Sequence, residues 1–173
     1  MGLQLIFVME TNKKSKSDWK YIRSTYEFFY KYGRTEVKFT PIFMDGKHKY
    51  KDKEAEISKK IAEYKATVKT NRSVVIYCFD CDEYDNQEED RVFLKETKEY
   101  CNNRGAEFVW FCKDIERVFL GKKVENSNKS KEADAFMMRG KIKKIESKNL
   151  CCERYQNQKS NILTILDKYL ERK

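Results

Sequence analysis

The stretch Ser73-Val74-Val75-Ile76-Tyr77-Cys78-Phe79-Asp80-Cys81-Asp82 constrains the fold of this chain more than any other. It is a run of strand-forming apolar residues that ends abruptly in two carboxylates one residue apart. A continuous apolar run of this length suits a strand buried on both faces, as in the parallel sheet of an α/β domain. Side chains alternate along a strand, so carboxylates at i and i+2 are expected to point to the same side. Two aspartates projecting together from a central strand repel unless a cation sits between them, and a hard divalent metal is the natural candidate.

The chain is 173 residues long, which suits one domain, and its 40% hydrophobic and 14% aromatic content argues for a real core. No apolar run is long enough to cross a membrane, so no membrane partner is expected. Met1 to Met9 lacks a basic n-region and a small-residue cleavage site, and reads as a strand rather than a signal peptide. Cys78 and Cys81 have C-x-x-C spacing, but no second pair stands at zinc-finger distance. The six cysteines, Cys78, Cys81, Cys101, Cys112, Cys151 and Cys152, are expected as buried free thiols in a reducing cytoplasm. Net charge is +9. The basic excess lies at the two ends of the chain and the acids gather between Asp80 and Asp90, an arrangement suited to holding a metal ion near a polyanion.

Leu3 to Met9 is the first predicted strand, with Glu10 directly after it. A polar loop leads to a helix capped by Ser17 or Asp18, running to about Tyr32 and stopped by Gly33. Val37 to Met44 is the second strand, and Pro41 inside it places it at a sheet edge. A helix over about 52–69 precedes the strand 73–79, and a third helix over about 87–103 follows it, with acids in its first turn. Ala106 to Cys112 is the fourth strand. Gly121 to Lys131 reads as an exposed, mobile loop, followed by a short helix near 132–139 and a closing helix over about 158–170. His48, the only histidine, stands in a turn beside lysines and reads as a surface residue.

This order predicts one α/β domain over residues 1–173, three-layered, with a four-stranded mainly parallel sheet over 3–112 and a basic helical extension over 113–173. With the Pro41 strand at an edge, the order 2-1-3-4 makes strands one and three neighbours. Ligands of open α/β sheets bind at such a switch point, outside the carboxyl ends of the strands. Glu10, Asp80 and Asp82 are therefore expected in one crevice.

A Glu after the first strand and an Asp-x-Asp after the third resemble the Toprim domain of topoisomerases, primases and OLD-type nucleases. Glu10 and Asp80-Cys81-Asp82 match that pattern position by position, and the resemblance covers about residues 3–112. Within the superfamily the chain looks most like the OLD and RloB-like branch, associated with phage defence, with Asp18-Trp19-Lys20-Tyr21 as the counterpart of a further acid and aromatic. Thr11 stands where a glycine usually follows the first-strand Glu. The resemblance implies a Toprim/Rossmann-like fold and a nuclease acting on DNA or RNA with Mg²⁺ or Mn²⁺. Asp80 and Asp82 would hold the ion and Glu10 would ligate it or act as general base. Glu10 with Asp85 or Glu83 would hold a second ion. Lys113 and the lysines of the 13–16 loop would neutralise the scissile phosphate. Asp114 and Glu116 would assist the metal or cap a helix. Many OLD-type nucleases carry an ATPase domain that this chain lacks, so a separate ATPase subunit is a partner the resemblance admits.

The competing reading is a non-catalytic Toprim-like or flavodoxin-like subunit that binds nucleic acid or protein through a degenerate acidic site. A receiver-like phospho-acceptor needs paired acids after strand one, where only Glu10 stands. The loop 11–17 contains no glycine, which excludes a P-loop and a dinucleotide fingerprint.

Overall fold

Strand β1 (Leu3–Met9) is buried along its whole length because it is hydrogen-bonded on both sides, to β3 (Val37–Phe43) and to β4 (Arg72–Asp80), in parallel over seven residues each. A computed structural model describes all residues 1–173. The sheet continues from β4 to the parallel strand β5 (Glu107–Cys112) and ends in the two-residue antiparallel strand β6 (Lys159–Ser160). The expected four strands are thus corrected to five, in the order β3-β1-β4-β5-β6. The strand carrying Pro41 lies at an edge.

Alternation along β1 divides the core into two layers. Leu5, Phe7 and Met9 face one side, packed with Tyr21, Ile22 and Tyr26 of helix α1 (Ser17–Phe29) and with the C-terminal segment. Ile6 and Val8 face the other, with Tyr77 and Phe79 of β4. There they meet Ile57 of α2 (Glu54–Thr67) and Phe93, Leu94 and Tyr100 of α3 (Glu88–Asn103). Gln4 is fully buried, yet its amide is satisfied across three strands. It donates to Thr40 Oγ1 (2.9 Å) and accepts from Ser73 Oγ (2.7 Å).

Several expectations need correction. Helix α1 ends at Phe29, because Tyr30–Lys31 turn into a short strand, β2, that pairs antiparallel with β7 (Glu171–Arg172). Its N-terminus has Lys16 in the capping position in the left-handed region, and neither Ser17 nor Asp18 caps it. The closing helix shrinks to α6 (Ile162–Leu166), for a physical reason that lies in Asn161. Its side chain accepts from Trp110 N–H (3.0 Å) and donates to the Phe108 carbonyl (2.9 Å), so it extends the β5 ladder beyond β6 and the helix starts only at Ile162. The predicted mobile loop over 121–131 ends in a 3₁₀ turn at Asn126–Asn128 that runs into α5 (Lys129–Met138). Helix α5 docks on α1 through Phe136, tilted at 60° against Tyr21 (ring centroids 5.0 Å), and a Lys20–Asp134 ion pair of 2.8 Å. The helix α4 (Ile115–Leu120) follows β5. Cys78 and Cys101 are buried free thiols as expected, but Cys151 and Cys152 are only half-buried, and Cys81 and Cys112 form a disulfide joining the ends of β4 and β5. No helix is long and apolar enough to cross a membrane.

Candidate functional site

Beyond the carboxyl ends of β1 and β4 lies a cleft of about 520 Å³ without a single apolar residue in its lining. Its charged residues are Glu10, Asp18, Asp45, Asp80 and Lys129. Glu10 leaves the end of β1 and crosses to β4, where Oε1 accepts the Asp80 backbone N–H at 2.9 Å. Asp80 is the last residue of β4, and its Oδ1 accepts the Ile115 N–H at 3.0 Å, at the start of α4. Asp18, in the first turn of α1, accepts from Thr11 N–H (3.3 Å) and from the Ser17 hydroxyl (3.3 Å). The end of β1, the start of the helix that follows it and the end of the distant strand β4 thereby bring three carboxylates to one place.

Their electrostatics follow from this crowding. Burial pushes the Glu10 carboxyl up to about 8; the Asp80 N–H opposes this, while Asp82 and Asp18 add to it. Burial also raises Asp80 well above the ordinary carboxylate range, reinforced by Glu10 and Asp18. Asp18 is raised by burial and pulled back by Lys129 and the Thr11 N–H. Such a group of acids gains from any cation that replaces the shared protons.

The other half of the Asp-x-Asp pair goes elsewhere. Strand β4 stops at Asp80, and Asp82 has φ of 49°, in the left-handed region. The i/i+2 rule no longer applies past the strand end. Asp82 instead pairs with Lys47 at 2.5 Å, and Lys47 also holds Asp90 at 3.1 Å. Lys113 and Asp85 lie outside the cleft lining and pair with each other at 3.2 Å, with Glu83 joining at 2.7 Å. These two acids keep Lys113 charged, raising its ammonium above its ordinary value. Lys13 and Lys14 line an adjoining groove of about 470 Å³ with Lys53; it meets the cleft at Asn12 and Asp45. Asp114 caps α4, accepting from Arg117 N–H at 2.8 Å.

Lys129 escaped the sequence reading because its neighbours are all polar and nothing in their spacing marks it. In sequence Glu116 reads only as a capping or metal-assisting acid. It is 1% exposed, neither carboxylate oxygen makes a hydrogen bond, and its one charged partner is Lys129 at 3.3 Å. Burial raises its carboxyl to about 7, against the pull of Lys129.

The donor set suits a hard cation, since the cleft offers carboxylate and hydroxyl oxygens, and Glu10 Oε2 and Asp80 Oδ2 have no hydrogen-bond partner. No three acidic, histidine or cysteine side chains stand close enough to share an ion as they are oriented here, so Glu10, Asp18 and Asp80 would have to rotate toward it. A second hollow of about 540 Å³ lies against β5, beside Trp110 and Tyr155. Its one buried-side acid, Glu107, is already paired with Lys168 (2.8 Å) and the Tyr169 hydroxyl (2.5 Å). No family model, no curated protein and no solved structure matches this chain.

Proposed function

We propose that the chain is a Toprim-like, Mg²⁺- or Mn²⁺-dependent nuclease that hydrolyses phosphodiester bonds of DNA or RNA, in the manner of the phage-defence OLD and RloB-like branch. The observation that carries this reading is the convergence of Glu10, Asp18 and Asp80 in one wholly polar cleft, at the switch between β1 and β4. Asp80 and Asp18 would hold the cation, with Glu10 beside them. When bound, the cation neutralises charge on the phosphoryl oxygens and acidifies a water molecule. Glu10, anchored by the Asp80 N–H, receives the proton of the attacking water at its free oxygen. The groove formed by Lys13, Lys14 and Lys53 receives the phosphates that flank the scissile one. Asp82, Asp85 and Lys113, held in ion pairs outside the cleft lining, take no part in the proton transfer.

One observation favours the alternative, a binding subunit with a degenerate acidic site: Asp82 is spent on Lys47, leaving Asp80 as the only member of the pair in the cleft. Incubation with Mn²⁺ and either plasmid, single-stranded DNA or RNA separates the two. Cleavage that disappears in Asp80→Ala and Glu10→Ala supports the nuclease. A wild-type protein that neither cleaves nor takes up Mn²⁺ refutes it, with or without an added ATPase subunit.

A further inference from the structure

Lys129 is the only cation lining the cleft, and three features of its position carry a cost. It opens helix α5, whose N-terminal dipole disfavours a positive charge. Its side chain is partly withdrawn from water, 30% exposed. Its nearest partner, Glu116, is a buried carboxylate without a hydrogen bond on either oxygen, although structural buried pairs normally satisfy theirs. The hydroxyl of Tyr21, fully buried between α1 and α5, makes no hydrogen bond either. The packing around Lys129 is not optimised for a fixed ion pair.

What surrounds Lys129 explains why these costs are tolerated. Glu116, Asp80 and Asp18 all favour its charged form, which outweighs the opposing effect of burial. Lys129 pairs with Glu116 at 3.3 Å and lines the same cleft as Asp18 and Asp80. The anchoring is firm, because Ser130 next to it bonds the Ser15 carbonyl (3.4 Å) and Lys20 (3.3 Å).

We propose that Lys129 is a built-in counter-cation that neutralises Asp18, Asp80 and Glu116 and competes with a divalent metal for this cleft. The competition rests on the metal-site reading above; the neutralisation does not. Glu116 is a positioning residue: it draws the ammonium back from Asp18 and Asp80, so a divalent ion can enter without expelling the lysine into solvent. The cleft in this way tolerates an empty state that three uncompensated carboxylates would make unfavourable.

The test uses the full chain and two measurements. Titration calorimetry with Mn²⁺ should show Lys129→Met binding the ion at least about tenfold more tightly than wild type, since a like charge has been removed nearby. Lys129→Arg should stay near wild type. Glu116→Gln should bind the ion more weakly, and should have no such effect in the Lys129→Met background, because it acts through the lysine. Equal or weaker Mn²⁺ binding by Lys129→Met overturns the competition. The second measurement needs no metal: urea unfolding of Lys129→Met, Asp80→Asn and the double variant. Asp80→Asn should stabilise the protein more when Lys129 is absent, and additive effects overturn the neutralisation. If no variant takes up Mn²⁺, the metal reading fails and the unfolding cycle alone decides the role of Lys129.

Discussion

Replacing Glu116 by Gln should make the protein less sensitive to rising pH. The ordinary carboxyl value is 4.5 and burial lifts Glu116 to about 7. The folded state thus binds a proton more tightly than the unfolded chain does. Stability from this group is fully present below about 4.5 and is lost as pH rises through about 7. The gap between the two values, at about 1.4 kcal/mol per pH unit, amounts to about 3 kcal/mol at pH 8. At 1% exposure, solvent screening takes little from that figure. Glutamine keeps the shape and cannot ionise, and Lys129 still shares the cleft lining with Asp18 and Asp80. Urea unfolding at pH 5, 6, 7 and 8 should therefore show wild type falling relative to Glu116→Gln by an amount of this order, mostly between pH 5 and 8. Parallel stability curves for the two proteins would refute the assignment of Glu116 as a buried, raised acid.

Mn²⁺ uptake by the wild type should release protons below about pH 8, because the Glu10 carboxyl lies near that value without the ion. Affinity should rise with pH up to that point, and calorimetry in two buffers of different ionisation heat would measure the release; a pH-independent affinity would contradict it. Lys13→Gln with Lys14→Gln should weaken binding to single-stranded nucleic acid and lower the slope of log affinity against log salt by about 1 to 2, read by fluorescence anisotropy. Asn161→Ala should cost about 1–3 kcal/mol in urea unfolding, since it strands the Trp110 N–H and the Phe108 carbonyl at the sheet edge.

The central strands could be read because their apolar runs are uninterrupted, and the edge position of β3 because a proline cannot donate to a ladder on both sides. Glu10 and Asp80 came within reach of one another through the same argument. Asp82 was misplaced because alternation holds only while the strand lasts, and a left-handed residue re-aims the side chain two positions after Asp80. The short α6 was misjudged because its apolar spacing is helical, whereas a side-chain amide at Asn161 substitutes for backbone pairing. Lys129 and Glu116 meet only after α5 docks on α1, and that docking depends on Phe136 and Asp134 finding partners more than a hundred residues away. No local pattern encodes such a meeting.

The unequal treatment of the two sheet margins bears on how this protein avoids sticking to itself. At the β5 margin, β6 and the Asn161 amide occupy backbone groups that another chain would otherwise recruit. The β3 margin is left open, and there Pro41 removes a donor while Lys38 stands exposed to water. A strand from a second molecule would meet a gap in the ladder and a charge beside it, both of which discourage intermolecular pairing. A seven-residue strand that carries Val37, Phe39, Ile42 and Phe43 is thereby kept from acting as a template for aggregation.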